Sequence, residues 1–241
     1  MKEVLVARVT KLAGGVWRVP TVGKNAINSF ALEDSDGSIV LIDAGLKGAK
    51  PKLVAALKEI GKAPTDVKMI LATHAHGDHV GAVQKMHDLG AGPLHAHEDD
   101  ASFIREGKMP PIDQSQILAR IFKFAAKKIP ASSVSGTFVD NEIIDVAGGI
   151  RVMHTPGHSP GHSSFLLEKS GILITGDALF NLFDRISFSF AIACSNYKMS
   201  RETALRLGDA DYEIAAFTHG KEITENARDT VRKFLKMRSD S

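Results

Sequence analysis

Three histidines and an aspartate fall within six consecutive positions of the chain, at His74, His76, Asp78 and His79. They directly follow an apolar stretch with the composition of a buried strand. In an extended chain alternate side chains share a face, so His74 and His76 can point at one metal ion from the end of that strand. Gly77 lets the chain turn, and Asp78 and His79 can then serve a second ion. Imidazole and carboxylate both suit zinc, iron and manganese.

The same motif has a simpler interpretation. Asp78 precedes a segment whose apolar residues recur at helical spacing, namely Val80, Val83, Met86 and Leu89. Asp78 could therefore serve only as the N-cap of a helix, although the two roles are compatible. Four possible ligands at this density rarely arise as core filler, so the pattern favours a metal site.

A second histidine-rich segment follows the strand predicted at 150–154. It is a loop, 155–162, that contains two prolines and two glycines. Prolines stiffen such a loop and so help it to hold ligands in place. Spacing alone does not choose a ligand among His154, His158 and His162.

Two further metal-type residues end predicted strands, where loops gather functional groups on a rigid scaffold. Asp177 follows Gly176 after one strand, and His219 follows another. Asp177 could also be only a turn residue, because aspartate beside glycine is common in turns. His95 and His97 repeat the spacing of the first motif, but they lead into an acidic helix start and we do not predict them as ligands.

The chain contains an internal repeat. Residues 29–33 run through a glycine turn to 39–45, and residues 164–168 run through a glycine to 171–177. Each copy is a strand, a tight turn and a buried strand that ends in aspartate beside glycine. The repeat predicts two similar halves that face each other, with chance resemblance of two hairpins as the alternative.

Strands and helices alternate around these hairpins. Apolar spacing and end signals predict helices at 51–60, 79–89, 113–128, 200–207 (with Ser200 as the cap) and 224–237. Further strands are predicted at 4–10, 16–19, 68–72, 150–154 and 213–218. No linker rich in glycine and serine separates independent units, so we predict a single α/β domain over 1–241, with sheets inside and helices outside.

Composition excludes some classes of function. A formal net charge of +2 on 241 residues gives no indication of a nucleic-acid-binding surface. The single cysteine, Cys194, excludes an internal disulfide, suits a reducing compartment and is predicted to be small apolar filler. No apolar run has the length of a signal peptide core or a membrane span. We therefore predict a cytoplasmic protein with no nucleic-acid or membrane partner; the sequence does not determine its oligomeric state.

The ordered motifs resemble those of the metallo-β-lactamase-fold hydrolase superfamily. They are His74-x-His76-x-Asp78-His79, Pro156-Gly157-His158, Gly176-Asp177 and Thr218-His219-Gly220. The resemblance runs from roughly the first hairpin to the last strand, and it implies an αββα sandwich of two related halves, in agreement with the repeat. It also implies that one ion is bound by His74, His76 and His158 and the other by Asp78, His79 and His219, with Asp177 bridging them.

This resemblance implies a hydrolase with two divalent metal ions, zinc being favoured and iron or manganese being alternatives. Water held between two dications loses its proton near neutral pH, and the resulting bridging hydroxide would attack a carbonyl or a phosphorus while one metal polarises the substrate oxygen. No serine or cysteine nucleophile is then required. Asp78 is predicted to carry a proton to the leaving group as well as to bind metal, provided that it can reach that atom.

Departures from the better-known branches of this superfamily narrow the choice of substrate. True β-lactamases generally lack the bridging aspartate, here Asp177. Glyoxalase II enzymes carry a helical extension that grips glutathione, and the short stretch after His219 argues against that substrate. Diiron reductases usually have glutamate in place of the second histidine of the motif, so His76 argues against that branch. Acyl-homoserine lactonases place a tyrosine where this chain has Phe180, although Tyr197 could reach the site from another direction.

The segment after Asp177 is rich in aromatic residues, with phenylalanines at 180, 183, 188 and 190. As a loop it would expose them beside the metals, and with Phe103, Met109 and the 113–128 helix it could roof an apolar pocket; the alternative is that they fill the core. We predict a small acyl ester, lactone or thioester as the substrate. The alternatives are a mononuclear iron persulfide dioxygenase, a phosphodiesterase, for which no basic cleft is evident, and a non-catalytic binding protein that keeps the fold.

Overall fold

The computed structural model describes residues 9–115 and 128–239 and contains two mixed β-sheets. The strands of the first sheet are neighbours in chain order: β1 (Thr10–Ala13), β2 (Val16–Val22), β3 (Ile27–Glu33), β4 (Ile39–Ile42), β5 (Val67–Leu71), β6 (Leu94–His97) and β7 (Val134–Phe138). Pairing is antiparallel from β1 to β4 and parallel from β4 to β7. This change of direction places the ends of β4 and β5 at the same edge of the sheet.

The second sheet has the spatial order β14, β11, β10, β9, β8. Its strands are β8 (Ile143–Ile144), β9 (Ile150–His154), β10 (Ser163–Leu167), β11 (Ile172–Ile174) and β14 (Ile214–Ala216). Only β11 and β14 pair in parallel. A separate hairpin is formed by β12 (Leu179–Leu182) and β13 (Arg185–Phe188).

Five α-helices lie within the described ranges. They are α1 (Lys50–Glu59), α2 (Val83–His87), α3 (Glu98–Glu106), α4 (Tyr197–Ala204) and α5 (Ala227–Ser239), with short 3₁₀ turns at Pro64–Asp66, Gly176–Ala178, Ala191–Ala193 and Leu205–Gly208. Among these helices none combines the length and apolarity needed to cross a lipid bilayer. The cytoplasmic location and the single domain over 1–241 stay predictions.

Alternating side chains on the strands produce four layers. On β4, Val40 and Ile42 face the second sheet, whereas Ile39 and Leu41 face the helices of the first half. On β10, Phe165 faces the first sheet, and the neighbouring side chains turn to the other side, where α5 packs. The order of layers is helix, sheet, sheet, helix, so the predicted αββα sandwich is confirmed.

The internal repeat appears as two hairpins with the same register. Phe30 pairs with Ile42 in the first half, as Phe165 pairs with Ile174 in the second. Each hairpin is followed by a parallel neighbour, β5 beside β4 and β14 beside β11. The prediction of two related halves is therefore confirmed.

Several predicted boundaries are wrong. The helix placed at 200–207 begins at Tyr197, because the Asn196 side chain accepts a hydrogen bond from the Met199 amide (3.0 Å) and so acts as the cap in place of Ser200. The helix placed at 79–89 is shorter, since only Val83–His87 is helical. Most of the helix predicted at 113–128 lies outside the described residues, as do residues 4–8 of the first predicted strand.

Candidate metal centre

The seven predicted ligands lie together where four strands end. His74, His76, Asp78 and His79 follow β5, His158 follows β9, Asp177 follows β11 and His219 follows β14. A hydrogen bond from the Ser163 amide to the Thr73 carbonyl (2.9 Å) joins the two sheets at this edge. Segments far apart in the chain are thus brought to one place, which motif spacing alone could not establish.

Three buried histidines form what we call the first ligand group: His74, His76 and His158. His76 Nδ1 lies 3.0 Å from His74 Nε2 and 2.9 Å from His158 Nε2. Tetrahedral zinc with bonds of 2.0–2.1 Å keeps its ligand nitrogens about 3.3 Å apart. The three nitrogens are therefore spaced closely enough to share one metal ion.

Asp78, His79 and His219 form the second ligand group. Asp78 Oδ2 lies 3.6 Å from His79 Nε2 and 3.4 Å from His219 Nε2. His79 Nε2 is buried and has no hydrogen-bond partner within the described ranges. An unsatisfied buried nitrogen is costly, so this atom fits the role of a metal ligand.

Asp177 stands between the two groups and offers one carboxylate oxygen to each. Its Oδ2 lies 3.2 Å from His158 Nε2. Its Oδ1 lies 3.3 Å from both His79 Nε2 and His219 Nε2. This arrangement is the one expected of a carboxylate that bridges two ions.

The two ligand groups differ in electrostatics. Burial lowers the pKa of His76 to about 4 and also lowers the pKa of His74 and His158 well below the usual value. Burial acts in the same direction on His219, but the carboxylates of Asp177 and Asp78 raise its pKa to about 10. The first group therefore consists of neutral imidazoles, the form that binds metal ions.

The second nitrogens of the ligand imidazoles have partners of their own. His79 Nδ1 donates to Asp43 Oδ2 (2.8 Å), and Asp43 also accepts hydrogen bonds from the Thr73 amide and hydroxyl (both 2.8 Å). His219 Nδ1 donates to the Ala26 carbonyl (2.8 Å). Such contacts fix the orientation of metal-binding imidazoles. Asp43 was not singled out from the sequence, although it ends the first copy of the repeat.

The structure separates the three histidines between which spacing could not choose. His158 reaches the first ligand group. Both ring nitrogens of His162 are occupied by hydrogen bonds instead. Its Nε2 accepts a hydrogen bond from the Asp177 amide (2.7 Å), and its Nδ1 donates one to the Thr155 carbonyl (3.0 Å). His154 donates to the Pro160 carbonyl through Nε2 (2.9 Å).

This placement leads to a first prediction. His158→Ala should weaken metal binding far more than His162→Ala, because His162 acts on Asp177 only through a backbone hydrogen bond. For His162→Ala we expect at most the 10- to 100-fold loss of affinity typical of residues that support ligands. Zinc titration of the metal-free variants measures the difference, and the opposite order of affinities would show that the ligand of this loop is misassigned.

The aromatic segment, for which the sequence left open a loop beside the metals or residues that fill the core, is largely a hairpin. Phe180 is buried against His219, with ring centroids 4.6 Å apart, and Phe190 packs on Phe180 at 5.5 Å while remaining 58% exposed. Phe188 packs against Phe234 of α5 (5.1 Å). Phe183, at the hairpin turn, is 94% exposed. The segment therefore contributes to the site and to the core through different residues.

Two other residues considered in the sequence also have defined surroundings. Cys194 is buried, with its Sγ 3.1 Å from Ser189 Oγ and 3.6 Å from His158 Nδ1, and burial raises the pKa of its thiol to about 11. It fills space, as predicted, and also touches a predicted ligand. Tyr197 lines a cavity of about 620 Å³ together with Arg201, and none of the seven predicted ligands lines this cavity.

A sequence model of the metallo-beta-lactamase superfamily matches residues 22–219, which include all seven predicted ligands. The chain belongs to this superfamily. Over 224 residues it is 29% identical to the uncharacterized protein YobT of Bacillus subtilis, covering 87% of this chain and 91% of that protein. It is 30% identical to the probable metallo-hydrolase YqgX of the same organism, over 68% of this chain and 71% of the relative.

Two relatives of this superfamily member carry more specific names. The hydroxyacylglutathione hydrolase GloC of Haemophilus influenzae is 28% identical, over 64% of this chain and 66% of GloC. An N-acyl homoserine lactonase of Bacillus cereus is 26% identical, over 64% of this chain and 58% of the lactonase. Among solved structures, the metallo-beta-lactamase family protein TTHA1429 of Thermus thermophilus superposes with a TM-score of 0.68 at 26% identity, covering 95% of this chain and 82% of that protein. Family and relatives together indicate a metallo-hydrolase.

Proposed function

We propose that this metallo-β-lactamase superfamily member hydrolyses small acyl esters, lactones or thioesters at a centre of two divalent metal ions, with zinc as the favoured metal. The observation that carries the proposal is the position of Asp177. Its Oδ2 faces the first ligand group and its Oδ1 faces the second. A carboxylate with one oxygen beside each ligand group favours a centre of two ions that share it over a centre of one ion.

Each ligand group would bind one ion. His74, His76 and His158 would bind the first, Asp78, His79 and His219 would bind the second, and Asp177 would be shared by both. When bound by these residues, two divalent ions would supply an activated water and would polarise the carbonyl of the substrate. The chain itself holds the ligand imidazoles in fixed orientations, Asp43 doing so for His79.

Asp78 is the carboxylate of this site that substrate can approach. Its side chain is 30% exposed, whereas that of Asp177 is 5% exposed. Burial opposes ionisation of Asp78, but His79 and His219 hold its pKa well below the usual value. We propose that Asp78 begins as a base, accepts a proton from the attacking water and passes that proton to the leaving group.

The proposed acyl substrate class rests on the wall beside the second ligand group. Phe180 contacts His219, and the exposed ring of Phe190 continues that surface outwards. An apolar wall favours substrates that carry apolar acyl chains. The names of the two more specific relatives, a lactonase and a hydroxyacylglutathione hydrolase, support an ester or thioester carbonyl as the reacting group.

A panel of lactones, esters and thioesters with increasing acyl length tests this proposal. Burial of a methylene contributes about 0.8 kcal/mol, so kcat/KM should rise by up to about fourfold for each added methylene. Phe190→Ala should flatten this rise, because it removes the exposed part of the wall. Phe183→Ala is the matched control, since its ring is 94% exposed at the hairpin turn and should leave the rise unchanged.

Other outcomes of the same panel would contradict the proposal. A phosphodiester that is hydrolysed faster than every acyl compound would favour the phosphodiesterase alternative. Consumption of oxygen with a persulfide, together with one iron per chain, would favour the mononuclear iron dioxygenase. Elemental analysis of protein purified without added metal belongs with the panel, because it separates the last outcome from a two-metal hydrolase.

A further inference from the structure

A buried carboxylate on α3 joins the two loops that carry the first ligand group. Asp100 is fully buried, although the sequence indicates only a helix start at this point. Its Oδ2 accepts hydrogen bonds from the Ala75 amide (2.8 Å) and the Ser159 hydroxyl (2.6 Å). Its Oδ1 accepts a hydrogen bond from the Gly161 amide (2.7 Å). One side chain therefore connects loops that are more than eighty residues apart in sequence.

The positions of these donors relate Asp100 to the ligands. Ala75 lies between His74 and His76, and Ser159 directly follows His158. We propose that Asp100 is a positioning residue that fixes the spacing of the first ligand group without itself binding an ion. This inference rests on the proposed function, because it takes the three imidazoles to be ligands of one ion.

The second ligand group has separate supports. His79 is held by Asp43. The loop that carries His219 is held by Asn28, whose Nδ2 donates to the carbonyls of Phe217 and Gly220 (both 2.9 Å). A change at Asp100 should therefore affect one metal ion selectively, which distinguishes a positioning role from general support of the fold.

The chemistry of the contact requires a carboxylate. Three donors converge on Asp100, and only an ionised carboxylate presents acceptors alone to all of them. An asparagine would turn an NH₂ group towards at least one donor. The helix α3 and the 155–162 loop are also packed too closely to shift relative to each other, because a Cβ added at Gly161 would lie 2.7 Å from the Asp100 backbone nitrogen. The isosteric Asp100→Asn change should thus disturb the loops without creating a cavity.

The test is a zinc titration of metal-free protein in competition with a chromophoric chelator, which gives a dissociation constant for each ion. His76→Ala and His219→Ala serve as references that assign each constant to a ligand group. Asp100→Asn should weaken binding of the ion at the first ligand group by about 10- to 100-fold and change the dissociation constant of the other ion by less than about threefold. Glu98→Gln is the matched control, since it removes the same charge from the same first turn of α3, at a side chain that is exposed. It should change neither constant.

Two results would overturn the inference. The first is an Asp100→Asn protein that binds both ions as the wild type does. The second is an equal loss of affinity for both ions together with a lower melting temperature of the metal-free protein. This result would show that Asp100 supports the fold in general. If Asp100→Asn does not fold, Ser159→Ala decides, because it removes one donor and leaves the carboxylate; a smaller loss confined to the same constant supports the inference, and no loss contradicts it.

Failure of the proposed function would be visible separately. If the wild-type protein binds only one zinc ion, the two-metal proposal is wrong whatever the behaviour of Asp100. The positioning role is then decided by whether the remaining constant changes in Asp100→Asn and stays unchanged in Glu98→Gln.

Discussion

Asp177→Ala should abolish turnover and release at least one of the two proposed metal ions. The Asp177 carboxylate presents one oxygen to each ligand group, so its removal would take a ligand from each ion and end the fixed distance between them. The loss of kcat/KM should exceed the roughly 100-fold loss typical of residues that only support ligands. Elemental analysis and steady-state kinetics on the same preparation measure both effects.

Asp177→Asn is the control for this prediction. It keeps the size of the side chain but has one oxygen, which can face only one ligand group. We expect it to fold as the wild type does and to bind one of the two ions less tightly. An Asp177→Ala protein that still holds two metal ions would show that this carboxylate is not a bridge.

The parts of the fold that the sequence predicts correctly are those specified by short stretches of chain. The strand before His74 is an apolar run interrupted only by Lys68, and the two hairpins of the repeat each carry a glycine turn between apolar segments. These patterns predict the buried sheets and the edge at which the ligands meet. Local spacing also leads to His74 and His76, but not for the reason that strand alternation gives, because β5 ends at Leu71 and residues 73–75 form a bend. The path of the chain beyond the strand brings the two imidazoles together.

The β12–β13 hairpin shows where local patterns fail. Its turn residues, Phe183 and Asp184, both have positive φ angles (55° and 56°). Tight hairpin turns of this kind favour asparagine, aspartate and glycine, and phenylalanine gives no such signal. The sequence therefore leaves open whether the segment is an exposed loop or fills the core. In the structure, antiparallel pairing from Leu179 with Phe188 to Leu182 with Arg185 forms a hairpin.

The residues that support the ligands were missed for a different reason. Asp100 follows two other acidic residues, and acidic residues are common in the first turn of a helix. Its contacts with Ala75 and Gly161 exist only because α3 packs against loops from both halves. For Asp43 a signal existed, since it ends the first copy of the repeat where Asp177 ends the second. Comparison of the two copies could have marked it as part of the site.

The same dependence on tertiary contacts explains the start of α4. Asn196 and Ser200 are both suitable N-caps by residue type. The Asn196 amide donates to the Gly157 carbonyl (2.7 Å), and the Ser195 amide donates to the His158 carbonyl (2.9 Å). Contact with the loop that carries His158 thus fixes where the helix begins, and the helix in turn fixes the backbone beside a proposed ligand.

Gly157→Ala should consequently destabilise the protein and disrupt the first ligand group together. Gly157 has a φ angle of +121°, and a Cβ at this position would lie 2.1 Å from the Ser200 nitrogen and 2.8 Å from the Asn196 carbonyl oxygen. These are backbone atoms, so relief requires α4 and the His158 loop to separate. Strain in a backbone region open essentially only to glycine costs of the order of 1–3 kcal/mol, and the steric overlap adds to it. We expect the free energy of unfolding to fall by about 3 kcal/mol or more.

Gly14→Ala provides the comparison, because no atom lies within 4 Å of a Cβ placed there and the φ angle is not in the left-handed region. Denaturant unfolding of the two metal-free variants measures the loss of stability, and zinc titration measures the effect on the first ligand group. Gly157→Ala should bind the ion of that group weakly even under conditions where the protein is folded, since His158 directly follows the altered residue. Unfolding free energies that agree within about 0.5 kcal/mol, the range usual for surface substitutions, would show that this close contact between loop and helix does not constrain the ligand.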